Sequence, residues 1–224
     1  MIYPGAIHLL GALCLLLGAC GSPAKMSAEE EHKKQDAELA RSIAGDFGSD
    51  PQNPFRNAQT LAEDSIGAAI GADVDQTWIR KMVEHQEGAS RFADLVLQAR
   101  PSNPVRQAAE ALKRDSEGRL LRLAPLRQRS LRTDFASSDV FGRAVSDMFA
   151  AMTQVQGATV EQTWAGKMAA YNRGAVTLAG IEATRGRDER VKRLAREIAS
   201  ALANEADAFD RLAHTQGGAG PPPR

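Results

Sequence analysis

Thr77-Trp-Ile-Arg-Lys-Met-Val-Glu-His-Gln-Glu-Gly-Ala-Ser-Arg-Phe-Ala93 is written a second time 86 residues later, as Thr163-Trp-Ala-Gly-Lys-Met-Ala-Ala-Tyr-Asn-Arg-Gly-Ala-Val-Thr-Leu-Ala179. Trp78/Trp164, Lys81/Lys167, Met82/Met168, Gly88/Gly174, Ala89/Ala175 and Ala93/Ala179 align without a gap. The register extends to Phe55/Phe141 and Gly71/Gly157 upstream, and to Val105/Val191 and Ala109/Ala195 downstream. A fixed internal period is the signature of a repeat architecture. It also lets the chain be compared with itself. Residues kept in both copies serve packing, and residues present in one copy only are candidates for function or decay. Position 85 is His and its counterpart, position 171, is Tyr.

Apolar residues recur at steps of three and four: Trp78, Met82, His85, Ala89, Phe92 and Val96, then Trp164, Met168, Tyr171, Ala175 and Leu178. That spacing puts each set on one face of a helix. The next segments carry Val105, Ala109, Leu112, Leu120 and Leu123, matched by Val191, Ala195, Ile198, Ala206 and Phe209. The chain is rich in Ala, Leu, Arg and Glu and has no alternating β-branched stretch, which predicts an all-α protein. Expected helices run over 55–70, 75–98 and 104–123 in the first copy, and 140–155, 161–184 and 189–214 in the second. Asp73 and Thr159 are the expected N-caps of the two long helices. Two helix pairs with one apolar face each bury those faces as a four-helix bundle, with an additional lead helix per repeat packed outside it or capping one end.

The N-terminus sets an expected location. An apolar run from Ala6 to Leu17 ends on Gly18-Ala-Cys20. It is shorter than the roughly 18 apolar residues a membrane span needs and reads as a secretory signal. Leu17-Gly-Ala-Cys20 resembles a bacterial lipobox, which implies cleavage before Cys20 and lipidation of that residue, hence membrane attachment in the cell envelope. The n-region lacks Lys and Arg, and a start at Met26 would remove the signal altogether. Cys14 falls within the signal, so the mature chain would hold Cys20 alone and no disulfide. The expected organisation is a signal over 1–19, a lipidated polar tether over 20–53 and repeats over 54–127 and 140–214. A linker over 128–139 joins the repeats, and a Gly/Pro-rich tail covers 215–224.

The 28 basic residues balance 28 acidic ones, so no global charge recruits nucleic acid. Arg114, Arg119, Arg122, Arg127, Arg129 and Arg132 cluster locally and read as a solvated helix face and its loop.

The stretch from Asp73 to Ala89 resembles the signature of the bacterial family of domains of unknown function numbered 305. The resemblance covers both repeats and implies a ferritin-like bundle, often secreted and often duplicated, with some periplasmic members linked to copper. The family pattern sets Met, then a His-His pair, then Met on one helix, and Gln, Glu and Met on the next. Met82 and His85 match it. Gln86 stands for the second His, Phe92 for Met, Ser116 and Arg119 for Gln and Glu, and Leu123 for Met. In the second copy Met168 and Glu205 match, while Tyr171, Asn172, Leu178, Leu202 and Phe209 do not.

Copper(I) prefers thioether, thiolate and imidazole donors. Met82 and His85 lie three apart on one helix face, and Met168 could join them if the repeats face each other, with Glu84, Gln86 and Tyr171 as weak additions. The opposing interpretation is packing: Met on an apolar stripe fills cores, and His85 can be a core-edge histidine. A di-iron site needs Glu-x-x-His pairs on inward helices, and the only such spacing is Glu29 to His32. His214 reads as an exposed helix-terminal residue. With no free Cys in the mature chain, no Ser/His/Asp set and no Gly-rich phosphate loop, no enzyme is expected. Two functions follow: an envelope lipoprotein that handles copper through Met82, His85 and Met168, or a metal-free bundle that binds an unidentified envelope protein.

Overall fold

The computed structural model describes residues 54–128 and 133–215. The signal, Cys20, the tether, most of the tail, Arg129 and Arg132 lie outside them. Six α-helices occupy the described residues: α1 (Arg56–Ala68), α2 (Val74–Gln98), α3 (Asn103–Leu123), α4 (Phe135–Gln154), α5 (Val160–Arg185) and α6 (Glu189–Thr215). A single 3₁₀ turn, Ala124–Leu126, follows α3. The protein is an all-α bundle, and no described helix is long and apolar enough to cross a membrane.

The helix ends follow local chemistry. The Asp73 carboxylate accepts the Gln76 N–H at 2.8 Å and so caps α2. Thr159 and Gln162 form a reciprocal capping box at the start of α5. After α2 the chain turns through Arg100 at φ 53°, in the left-handed region, and Pro101 bars any return to helix. Helix α4 starts at Phe135, earlier than the 140 expected from the apolar pattern. Asp134 explains the difference: its side chain accepts the Ala136 N–H and its own N–H donates to Gly71 O at 2.8 Å. The linker is correspondingly shorter than 128–139.

Helices α2, α3, α5 and α6 form the central layer; α1 packs on α2 and α4, and α4 packs on α5 and α2. Both lead helices feed the core, through the N-cap Phe55 with Ala62 and Ile66 of α1, and Phe141, Phe149 and Met152 of α4. The inward stripe of α3 departs from expectation. Leu120 is half-buried, while Ser116 and Arg119 are buried with Val105, Ala109, Leu112 and Leu123. Steps of four and three from Val105 reach 116, 119 and 123, so the helical period carries two polar residues inward.

Candidate functional site

The residues shared by the two copies turn out to be joinery. Thr77 Oγ1 accepts the Gly71 N–H at 2.9 Å, and Thr163 Oγ1 accepts the Gly157 N–H at 3.0 Å. Each hydroxyl thus fixes the loop entering its long helix. Trp78, Trp164, Met82 and Met168 have no exposed surface and fill the core. Lys81 and Lys167 are equally buried and cap the lead helices: Lys81 Nζ donates to Ile66 O at 2.6 Å, and Lys167 Nζ to Met152 O at 2.7 Å. These carbonyls belong to the last turns of α1 and α4, where each otherwise accepts only the C-cap N–H, of Ala69 at 3.4 Å and of Val155 at 3.2 Å. Burial lowers both lysines to about 8, so both remain mostly charged at neutral pH.

Lys167 also donates to Gln59 Oε1 of α1 at 2.8 Å, which ties the two halves together. Lys167→Met should therefore destabilise the fold by about 1.5–3 kcal/mol, the range for hydrogen bonds from a charged donor. Urea unfolding at neutral pH measures it, and an unchanged midpoint would contradict this role.

Where the copies differ, equivalent residues touch each other. His85 and Tyr171 stack with ring centroids 4.0 Å apart and planes 17° apart. His85 Nε2 bonds Tyr171 O at 3.3 Å, and Tyr171 Oη donates to His85 O at 3.3 Å. Because a carbonyl only accepts, Nε2 carries the proton, and the Nδ1 lone pair accepts from Gln86 Nε2 at 3.0 Å. Gln86 Oε1 in turn accepts from Arg119 at 3.2 Å. Arg119 pairs with Glu205, its own counterpart 86 residues on, and Glu205 Oε2 accepts from Asn172 Nδ2 at 3.2 Å. Gly88 lies against the Tyr171 hydroxyl so closely that a Cβ would collide with it.

His85, Gln86, Arg119, Glu205 and Asn172 thus form one continuous polar seam through an apolar core. Burial, far more than the neighbouring Arg119 charge, lowers His85 to about 3, opposed by its bond to Tyr171 O; the imidazole is neutral at physiological pH. Burial likewise raises the Tyr171 phenol. Arg119, expected on a solvated face, is instead 7% exposed. Arg122, on the same helix, does face solvent and pairs with Glu197.

A cation fits this arrangement poorly. His85 comes together with Gln86 and Tyr171, as the sequence suggested, but both ring nitrogens are engaged by protein groups. A guanidinium charge sits one residue beyond Gln86 in the seam, and a second positive charge there would be repelled in a low-dielectric interior. Met82 and Met168 are buried among apolar residues. Glu84 lines a surface pocket of about 300 Å³ with Arg80 and Arg127. Among the described residues, no three His, Cys, Asp or Glu side chains converge on a point where a metal could bind.

The sequence offered one signal for Arg119 that went unused. Positions that meet their own counterparts carry complementary partners: His with Tyr, and Arg with Glu. Contacts between equivalent positions are what a two-fold relation between halves produces.

Neither the curated proteins nor the solved structures contain a match to this chain. A family model does match residues 127–213, that of "Domain of unknown function (DUF305)". The matched segment covers α4, α5 and α6 and leaves out the half that carries His85. By that match, residues 127–213 of this chain are similar to the DUF305 family.

Proposed function

We propose that this protein is a non-enzymatic, metal-free helical module of the cell envelope, lipid-anchored through Cys20, which serves as a scaffold for an envelope protein partner. Its bundle is a duplicated ferritin-like fold in which two halves pack about an internal two-fold axis, and the positions where the family resemblance implies metal ligands carry the polar seam. The observation that carries this reading is Arg119, a buried guanidinium bonded to Glu205 and to Gln86, which itself holds the His85 lone pair. Copper bound by Met82, His85 and Met168 would have to displace Gln86 from Nδ1 or Tyr171 O from Nε2, beside that charge. The reciprocal His85–Tyr171 bonds support the duplication, since each residue donates to its counterpart's carbonyl.

Titration of the soluble form that starts after Cys20 with copper(I) against a competing chelator tests the proposal, beside the Met82→Leu/His85→Ala double variant. The expected result is no saturable binding by the wild type at nanomolar free copper and no difference between the two proteins. Stoichiometric nanomolar binding that the double variant loses would restore copper handling as the function.

A further inference from the structure

The two halves are also clasped at their turns, by residues that are again counterparts. Glu161, at the start of α5, accepts the Ser102 N–H at 2.6 Å and the Ser102 hydroxyl at 2.7 Å, which fastens the α2–α3 turn. Asp75, its counterpart 86 residues earlier, accepts the Asp188 N–H at 2.9 Å and the Arg187 N–H at 3.0 Å, which fastens the α5–α6 turn. Ser102 and Asp188 are themselves counterparts. Each half therefore offers an acidic residue from the first turn of its long helix to the turn of the other half.

The clasps differ at one residue. Val96, buried and apolar, occupies the position whose counterpart in the second half is Glu182. Glu182 has no exposed surface, and neither carboxylate oxygen meets a donor. Its carboxyl lies against Gly186, where any side chain would collide with it, at the turn whose next two N–H groups, of Arg187 and Asp188, bond Asp75. A buried carboxyl with no donor, set beside a second carboxylate, favours keeping its proton.

We propose that Glu182, buried at the turn that Asp75 fastens, is a proton-dependent latch: its proton lets the α5–α6 turn stay closed on the start of α2, and its loss in alkaline conditions releases that turn while the Glu161–Ser102 clasp stays shut. The groups facing Glu182 are Asp75 from α2, its N-cap Asp73 and Lys192 from α6, besides the backbone N–H groups of Arg187 and Asp188 on Asp75. Lys192 also bonds Glu189 at 2.8 Å. Burial, then the neighbouring carboxylates of Asp75 and Asp73, raises Glu182 to about 8, against a smaller opposing effect of Lys192. Folding thus retains a proton that the unfolded chain gives up near pH 4.5, so this residue's contribution to stability falls as pH rises toward about 8.

An NMR titration of the full-length chain from pH 6 to 10 tests the latch, following the Glu182 side-chain carboxyl carbon and the amides of Arg187, Asp188 and Ser102. Glu182 should titrate several pH units above the exposed glutamates, and the Arg187 and Asp188 amides should move with the same midpoint. Ser102 should not follow. In Glu182→Gln and in Glu182→Val, which copies the other half, the alkaline transition of Arg187 and Asp188 should vanish. The latch is overturned if Glu182 titrates with the ordinary glutamates, if Ser102 moves together with Arg187 and Asp188, or if the transition persists in both variants.

Discussion

Acidification from pH 7 to pH 4 will cost the wild type more stability than it costs His85→Gln, and the difference will grow by about 1.4 kcal/mol for each pH unit below about 6. The sign follows from the buried imidazole. In the unfolded chain His85 takes up a proton near its ordinary value of 6.5, while in the fold burial holds it to about 3. A group whose folded value is depressed contributes stability that is complete above 6.5 and is lost as pH falls toward 3. The whole effect is on the order of 4–5 kcal/mol, a large part of a typical folding free energy. His85→Gln gives up the stack on Tyr171 and will be less stable at pH 7, but it has nothing to titrate there. Carboxylates protonate in both proteins, so their contribution cancels in the difference. Urea unfolding at intervals of one pH unit provides the comparison, and parallel curves would refute the buried neutral imidazole.

Arg119→Met will destabilise the protein by about 3 kcal/mol, and the double change Arg119→Met/Glu205→Leu will recover most of the loss. Removing one member of a buried ion pair strands the other, typically at a cost of about 3–5 kcal/mol, whereas replacing both by apolar residues is often neutral. The lower end of the range applies because Glu205 keeps 19% of its side chain exposed. Glu205→Leu alone should be the worse single change, since it leaves a buried guanidinium with only Gln86 to bond and orphans Asn172 Nδ2. A double-mutant cycle on unfolding free energies measures the coupling. Additive losses would mean that the pair contributes nothing as a pair.

Much of the fold was legible because its determinants are local. The apolar stripe that starts at Trp78 and repeats at Trp164, the caps at Asp73 and Thr159, and the stop at Pro101 fix the helices within a few residues of their observed bounds. The early start of α4 was not, because Asp134 gains its hold from Gly71 of the other half, a contact of high sequence separation. Met82, His85 and Met168 were correctly placed on an inward face, but which atoms occupy the donors of His85 is a tertiary fact. Arg119 is more instructive: among surface arginines its type says exposure, while helical phase, the acidic counterpart at 205 and its place at a family ligand position say burial. Glu182 carries the same lesson, since beside Val96 it is the odd member of an otherwise matched pair.

Ring-nitrogen NMR of His85, recorded from pH 8 to pH 4 and then with excess copper(I) at pH 7, tests the polar seam most directly. The expected spectrum shows a neutral ring protonated on Nε2, with Nδ1 unprotonated, unchanged across that pH range and unmoved by the metal. Protonation near pH 6.5, or a shift of either nitrogen when copper(I) is added, would show that Gln86 and Tyr171 do not hold the imidazole and that the site is open to a ligand.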